Sequence, residues 1–313
     1  MTQLTTLSGA PVAPFAFGTM QFGGRATKAD AAEMFEACRT AGISHFDSAM
    51  IYTDGAADQI LGSLIAPVRD TVYITTKVAY RGGAGRANIL AQFDESRARL
   101  DTDIVDLLYL HRFDPDTPLR ESLSTLAQLQ SDGRIRHIGV SNFAAWQVMK
   151  AQAIAQTLGT RVDVVQPMYN LVKRQAEVEI LPMCADQGIA AVPYSPLGGG
   201  LLTGKYGAGG SGRLTEDDRY AARYGQDAMH SAAEGLAGIA AVHGVHPATL
   251  AVAWVAAHPT RPHPILSARN ATQLAPALHG TRYAMDDTLY AQLSALYPAP
   301  PPATDRLEEQ VLG

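Results

Sequence analysis

Short apolar runs alternate along this chain with longer amphipathic stretches. Seven of the runs are almost continuously apolar, as expected of parallel strands that are buried on both faces. The seven predicted strands are residues 43–46, 72–76, 104–110, 135–140, 162–165, 189–193 and 264–266. The amphipathic stretches predict helices over residues 29–40, 119–130, 144–157 and 175–187.

The alternation of strands and helices continues through the chain without a change of composition. It predicts an α/β fold in which residues 1–313 form one domain, a (β/α)8 TIM barrel. An open doubly wound sheet is the alternative, but the G-x-G-x-x-G turn that would follow its first strand is absent. An eighth strand is only weakly indicated, and Leu278 with its neighbours is the candidate.

Two segments do not follow this alternation of strands and helices. Residues 207–224 are rich in glycine and then of mixed charge, and they are too long for a simple connection, so they predict a mobile lid. The proline-rich residues 298–302 predict a tail that runs over the surface.

Composition narrows the class of partner. The 313 residues carry a formal net charge of −5, which argues against nucleic acid or an anionic membrane as the main partner and still permits a local basic pocket for a small anion. No apolar run reaches the ~18 residues that a membrane span needs, and no secretory signal pattern opens the chain. The two cysteines, Cys38 and Cys184, fall in predicted helices and are expected to be buried and reduced. We therefore expect a cytoplasmic protein, and the sequence leaves its oligomeric state open.

Polar residues follow three successive predicted strands at their carboxyl ends, which in a barrel face the active site. These residues are Asp47, Lys77 and His111, and Tyr52 comes five residues after Asp47. Singly, each has a structural explanation: a cap, a solvated lysine, a core histidine and an aromatic residue in a turn. Four titratable groups on one rim favour the functional interpretation.

These four residue types suit the reduction of a carbonyl group. A phenol has a pKa near 10, and a neighbouring ammonium lowers it, while a buried aspartate keeps the lysine charged. Tyr52 would then donate a proton to a carbonyl oxygen as hydride reaches its carbon, with His111 orienting that oxygen. The chain lacks H-x-H and H-E-x-x-H spacings, so no metal is expected.

Several ordered motifs make the sequence similar to the aldo-keto reductase family. The segment 45–52 reads H-F-D-S-A-M-I-Y and resembles the F-D-T-A-x-x-Y signature, with Ser48 in place of threonine. Residues 133–143 read G-R-I-R-H-I-G-V-S-N-F, and residues 194–206 read Y-S-P-L-G-G-G-L-L-T-G-K-Y. Within the family, the sequence looks closest to the aflatoxin aldehyde reductase and potassium-channel β-subunit branches. The resemblance implies a catalytic tetrad of Asp47, Tyr52, Lys77 and His111.

The resemblance also implies an NADPH site. Ser141, Asn142 and Gln166 would bind the nicotinamide carboxamide, Tyr194 would stack on its ring, and Arg269 would hold the 2′-phosphate. The remaining implied cofactor contacts are Thr19, Met20, Ser195, Leu197, Gly199, Leu202, Lys205, Ser267 and Gln273. Pro276 and Ala277 stand where the family pattern has the Glu-Asn pair that holds the adenine.

The function implied is the NADPH-dependent reduction of aldehydes or ketones. Two alternatives stay open: an NADPH-binding regulatory or redox-sensing module, and an alcohol or sugar dehydrogenase that works in the oxidative direction. The substrate is not specified. Candidate pocket residues are Met20, Phe22, Met50, Tyr80, Phe113 and Trp146, and Arg219, Arg223 and Tyr224 of the lid either meet an anionic substrate or form a solvated loop.

Overall fold

A computed structural model describes residues 3–207 and 209–310 and contains eight parallel strands. All seven predicted strands are confirmed, with some shorter than predicted. The strands are β1 (Ala16–Gly18), β2 (His45–Asp47), β3 (Tyr73–Val78), β4 (Val105–Leu110), β5 (Ile135–Ser141), β6 (Val164–Gln166), β7 (Ala190–Ala191) and β8 (Ile265–Leu266).

The prediction for the remaining strand was wrong. Leu278 lies in a helix, and the missing strand is β1, which pairs with both β2 and β8. A strand of three residues is too short to show a period, whereas Leu274 and Leu278 are four residues apart and share a helix face.

The sheet closes into a (β/α)8 barrel. Its strand order is β7-β6-β5-β4-β3-β2-β1-β8, so strands that are neighbours in sequence are neighbours in space. The two end strands are joined by backbone hydrogen bonds, from His263 N to Ala191 O at 2.8 Å and from Ile265 N to Pro193 O at 2.9 Å. The alternative of an open doubly wound sheet is therefore wrong.

Helices connect the strands and cover the outside of the barrel. Those in the first half are α1 (Lys28–Thr40), α2 (Ala56–Ile65), α3 (Arg86–Leu100), α4 (Leu119–Ser131) and α5 (Ala145–Thr157). Those in the second half are α6 (Ile180–Asp186), α7 (Arg213–Glu216), α8 (Asp218–Tyr224), α9 (Asp227–Val242), α10 (Pro247–Ala256), α11 (Ala271–Gly280) and α12 (Asp287–Ser294). Thr27 caps α1 by accepting from Asp30 N.

The helix predicted over residues 175–187 is broken. A 3₁₀ turn at Gln175–Glu177 precedes α6, which begins only at Ile180. Pro182 lies in the first turn of α6, where its missing N–H costs nothing. A continuous helix would place the proline ring against the carbonyl of residue 178, so the break falls there.

The core has two parts, inside and outside the barrel wall. On β4, Leu107 and Tyr109 point into the barrel, whereas Leu108 and Leu110 pack against the helices, as the two-residue period of a strand requires. Leu4, from the segment before β1, packs into the barrel interior. Both cysteines are buried and unpaired, which confirms the expectation for them.

Residue 208 of the predicted lid lies outside the described residues. From Arg213 onward the lid forms two short helices, α7 and α8, which pack on the 3₁₀ segment Gly198–Thr203. Residues 298–302 form neither helix nor strand. Within the described residues no single helix is both long and apolar enough to span a membrane. Helices α9 and α10 meet that test only when taken together, and the chain bends by 101° between them.

Candidate active site

Strand register brings the three strand-end residues to one rim of the barrel. Asp47 is the last residue of β2 and lies opposite Thr75 on β3, and Lys77 lies opposite Tyr109 on β4. His111 follows β4 directly, and its N donates to Val78 O at 2.9 Å. Tyr52 begins a 3₁₀ turn just beyond β2. The structure therefore brings all four predicted catalytic residues together.

The ammonium of Lys77 is the centre of this cluster. Lys77 is fully buried, and its Nζ donates to Asp47 Oδ2 at 2.5 Å, to Ser48 O at 2.7 Å and to the Tyr52 hydroxyl at 3.3 Å. An ammonium has three protons, so these three acceptors use all of them. The orientation of the lysine toward Tyr52 is thereby fixed by the other two bonds.

Asp47 is held equally firmly. Its Oδ1 accepts from Thr75 Oγ1 and from Gln166 Nε2, both at 2.9 Å, and its backbone oxygen accepts from Thr19 N at 2.9 Å. Side chains on alternate residues of a strand share a face, which is why Thr75 joins Lys77 here. Thr75 was absent from the predicted site, although that alternation could have revealed it.

Electrostatics keep the lysine charged. Burial pulls the pKa of Lys77 down, but the Asp47 carboxylate and Tyr52 together outweigh burial, and the net pKa is raised. The tyrosine differs from the expectation. Burial raises the pKa of Tyr52, and the opposing pull of the Lys77 ammonium is too small to reverse it. The expectation of a lowered phenol pKa was wrong, and Tyr52 is protonated at neutral pH.

His111 is neutral in this site. Burial, reinforced by the nearby Lys77 charge, lowers the pKa of His111 to about 3. Its ring meets the Tyr52 ring edge-on at 6.1 Å between centroids and lies 4.9 Å from the Tyr80 ring. Its Nδ1 is buried and has no hydrogen-bond partner within residues 3–207 and 209–310.

The residues expected to bind nicotinamide form a chain of hydrogen bonds beside the cluster. The Tyr194 hydroxyl donates to Asn142 Oδ1 at 2.7 Å, and Asn142 Nδ2 donates to His111 O at 2.9 Å. Ser141 Oγ donates to Gln166 O at 3.0 Å. Asn142 has a φ of 57°, in the left-handed region that asparagine adopts more readily than most other residues with a side chain. Ser141, Asn142, Gln166 and Tyr194 thus share one rim with Asp47.

The glycine-rich turn packs against the lid. Gly198, Gly199 and Gly200 have φ values of 55°, 65° and 100°, a run of left-handed backbone that L side chains rarely adopt. A Cβ on Gly199 would stand 2.7 Å from the Tyr220 ring of the lid, and one on Gly200 would stand 3.4 Å from Lys205 Nζ. Of the other predicted residues here, Leu202 is buried in the core, Leu197 is partly buried and Ser195 O accepts from Asn170 Nδ2 at 2.9 Å.

The predicted adenosine end lies at the start of α11. Arg269 N donates to Gln273 Oε1 at 3.4 Å, and the hydroxyl of Ser267 is buried without a partner among the residues that the structure describes. Pro276 O accepts from Thr249 Oγ1 at 2.8 Å, and Ala277 is buried. The two residues that replace the Glu-Asn pair therefore pack against α10.

An ion cluster links the lid to this end. Glu216 of α7 lies 2.8 Å from the guanidinium of Arg25 and 3.8 Å from that of Arg269. Arg25 follows β1, so the three residues come from distant parts of the chain. No sequence pattern marked Arg25 or Glu216.

The family model for the aldo/keto reductase family matches residues 14–297. The chain belongs to the aldo/keto reductase family. A probable voltage-gated potassium channel subunit beta from Oryza sativa subsp. japonica is 33% identical over 85% of this chain and 87% of its own length. Aflatoxin B1 aldehyde reductase member 2 from Rattus norvegicus is 37% identical over 64% of this chain and 56% of its own. Uncharacterized oxidoreductase YrpG from Bacillus subtilis (strain 168) is 30% identical over 94% of each chain.

As a member of the aldo/keto reductase family, the protein is an oxidoreductase of carbonyl compounds. The structure corrects two of the candidate substrate contacts. Phe22 is fully buried, with its ring 5.7 Å from that of Phe17, and Tyr224, the last residue of α8, is fully buried as well. Met20, Tyr80 and Trp146 are 39%, 38% and 61% exposed, so these side chains stay accessible.

Proposed function

We propose that this protein reduces aldehydes or ketones to alcohols with NADPH, and that Tyr52 is the proton donor. The observation that carries the proposal is the buried Lys77 ammonium, whose three protons point to Asp47, the Ser48 carbonyl and the Tyr52 hydroxyl. Burial of a charge is costly, and here the Asp47 carboxylate and the hydrogen bonds to the ammonium offset that cost. The ammonium places a positive charge 3.3 Å from a phenol oxygen.

Tyr52 carries its proton until the reaction needs it. Because burial keeps its pKa high, the phenol is protonated at neutral pH and is ready to act as an acid. When the phenol proton passes to a carbonyl oxygen, the phenolate that remains lies beside the Lys77 ammonium and is stabilised by it. NADPH, when bound, supplies the hydride to the carbonyl carbon. The products are an alcohol and the oxidised cofactor.

His111 positions the carbonyl oxygen. Because its pKa is lowered to about 3, the ring is neutral and presents an N–H without adding a positive charge beside Lys77. Tyr80 and Tyr52 pack against the ring from two sides and restrict its orientation. A neutral donor so placed hydrogen-bonds the carbonyl oxygen without competing with Tyr52 for the role of acid.

The chain also fits the cofactor. Gly198–Gly200 form a left-handed turn without side chains, and Lys205 Nζ lies beside it with no carboxylate within 4.0 Å among the described residues. We assign the pyrophosphate to this turn, the carboxamide to Asn142 and Gln166, and the 2′-phosphate to Arg269. The pairing of Glu216 with Arg25 and Arg269 ties the lid to the residue that we assign to the 2′-phosphate.

Tyr52→Phe tests the proposal. The variant keeps the ring and removes only the proton donor, so we expect NADPH binding to be retained while turnover of a panel of aldehydes and ketones falls by about 100-fold or more. NADPH binding is read by fluorescence quenching of the tryptophans. Turnover by the variant close to that of the unmodified protein would refute the role of Tyr52.

A second candidate is an NADPH-binding regulatory subunit, because two relatives that cover 85% of this chain are named as potassium channel β subunits. An unmodified protein that binds NADPH but turns over no carbonyl compound would favour this second function. Oxidation of alcohols and sugars with NADP⁺, measured on the same panel, tests the dehydrogenase alternative. The cytoplasmic location and the single domain stay predictions.

A further inference from the structure

A second buried carboxylate, that of Asp58 on α2, lies behind the proposed catalytic rim. Asp58 is fully buried, and its two oxygens accept from Ser48 Oγ at 2.5 Å and from Ser96 Oγ at 2.6 Å. The Ser96 hydroxyl lies 2.6 Å from Oγ1 of Thr76. Each hydroxyl has one proton, and both serines give theirs to the carboxylate, so Thr76 donates to Ser96. Three hydroxyl groups from separate elements thus depend on one carboxylate.

A carboxylate at this place is costly to bury. Burial raises the pKa of Asp58, and the two serine hydroxyls, Arg99 and Lys77 oppose that rise. Arg99 and Lys77 are the charged groups that act on it, and neither makes an ion pair with it. If the carboxyl group had no role, it and the three hydroxyl groups could be replaced together by apolar side chains at little cost in stability. The retained carboxyl group therefore calls for a role beyond packing.

The contacts of Asp58 lead to both sides of Lys77. Ser48, which donates to Asp58, is the residue whose backbone oxygen accepts from Lys77 Nζ at 2.7 Å. Thr76, at the other end of the hydroxyl chain, directly precedes Lys77 on β3. The direction of the Lys77 ammonium depends on the Ser48 carbonyl. The position of the Lys77 backbone depends on Thr76, the residue before it.

We propose that Asp58 is a positioning residue that acts through Ser48 and Thr76 to fix the Lys77 ammonium beside the Tyr52 hydroxyl. The inference rests on the proposed function, because it concerns the same proton donor. It differs from a direct effect of the Asp58 charge, since a negative charge acting through space raises the pKa of a phenol. Loss of that charge alone would lower the pKa of Tyr52, whereas displacement of Lys77 would raise it.

Ser48→Ala separates the two effects. It cuts the link from Asp58 to the Lys77 acceptor and leaves Asp47, Asp58, Lys77 and Arg99 in place. We expect kcat for carbonyl reduction to fall about tenfold, because part of the general-acid contribution is lost, with the KM for NADPH unchanged. In alcohol oxidation Tyr52 acts as the base, so kcat rises with pH as the phenol loses its proton, and we expect this rising limb of the pH profile to move to higher pH. Asp58→Asn lowers kcat similarly but moves the limb less, since removal of the charge opposes the displacement of Lys77.

The matched control is Ser63→Ala, which removes a hydroxyl from the exposed face of α2, where Ser63 Oγ donates only to Gln59 O at 3.0 Å. We expect it to change neither kcat nor the limb. If Ser48→Ala fails to fold, Ser96→Ala cuts the route to Thr76 and leaves Ser48 in place, with the same direction of change expected. Ultraviolet titration of Tyr52 in cofactor-free protein, taken as the difference from Tyr52→Phe, reads the phenol without turnover. Its pKa rises in Ser48→Ala.

Three outcomes overturn the inference. In the first, Ser48→Ala lowers the melting temperature but leaves kcat and the Tyr52 titration unchanged, so the cluster is structural only. In the second, Ser63→Ala has the same effect as Ser48→Ala. In the third, Asp58→Asn lowers the pKa of Tyr52 without loss of kcat, so the charge acts through space. A lack of turnover by the unmodified protein refutes the proposed function instead, and the Tyr52 titration still tests the positioning role.

Discussion

Replacing Lys77 with methionine removes one charge from the middle of the protein and keeps most of the side-chain volume. Lys77 is fully buried, Asp47 is 2% exposed, and the ammonium and carboxylate atoms are 2.5 Å apart. The replacement leaves Asp47 Oδ2 without its donor, while Thr75 and Gln166 still donate to Oδ1. Loss of one partner of a buried ion pair costs about 3–5 kcal/mol of unfolding free energy. We expect the lower end, about 3 kcal/mol, because the two remaining donors still stabilise the Asp47 carboxylate.

The double variant Lys77→Met/Asp47→Asn removes both charges, so we expect it to recover most of that loss. The assay is urea unfolding followed by tryptophan fluorescence at pH 7, on the unmodified protein, both single variants and the double variant. The pKa of Lys77 is raised on folding, so its contribution is fully present below its unfolded value of 10.5 and is lost only as the pH rises through the folded value. At pH 7 the full effect is measured.

The double variant should fold and yet have no carbonyl reductase activity, because the charge that stabilises the Tyr52 phenolate is gone. A Lys77→Met protein as stable as the unmodified one would refute the account of the ion pair. A double variant no more stable than Lys77→Met would refute it equally.

The remaining predictions concern the proposed NADPH contacts, the lid and the barrel interior. Arg269→Ala should raise the Kd for NADPH by about tenfold or more and leave the Kd for NADH almost unchanged. Equal changes in the two Kd values, measured by fluorescence titration, would refute the binding of the 2′-phosphate by Arg269. Glu216→Gln weakens the contacts of the lid with Arg25 and Arg269, so stopped-flow release of NADPH should quicken several-fold; an unchanged rate would mean that this cluster does not hold the lid. His45 is fully buried with neither ring nitrogen hydrogen-bonded among the described residues, and burial lowers its pKa to about 4. The unfolded chain binds a proton at His45 below its unfolded pKa of 6.5, whereas the folded protein does not until the pH nears 4, so the free energy of unfolding falls over that range. We expect His45→Leu to reduce this acid-induced loss of unfolding free energy at pH 4.5 by about 2–3 kcal/mol, measured by urea unfolding. The exposed His243→Leu is the control and should leave the loss unchanged.

The pattern of apolar runs was sufficient for the barrel and for one rim of the site. Asp47, Lys77 and His111 each follow a predicted strand, and neighbouring parallel strands must present their ends on the same side. Their proximity therefore follows from the sequence order. The short strand β1 was missed because three residues carry no period. The break before α6 was missed because Pro182 acts on a carbonyl four residues earlier, which an apolar pattern does not show.

The direction of the Tyr52 pKa depends on burial, and burial is a property of the whole fold. The sequence indicated that Lys77 and Asp47 are neighbours of the phenol, but it did not show how far water is excluded around it. The same holds for Asp58. Ser48 is only ten residues away, but Ser96 is 38 residues away and reaches it only because α2 and α3 pack side by side.

The sequence by itself was enough to predict the barrel, the four residues of the proposed tetrad and the rim on which they lie, because strand order and the ends of apolar runs can be read along the chain. The tertiary structure alone decided which side chains support them. The joining of Arg25, Glu216 and Arg269, and of Ser48, Asp58 and Ser96, arises from helices and loops that meet through packing. Contacts of that kind depend on distances between elements, which no periodicity along the chain records.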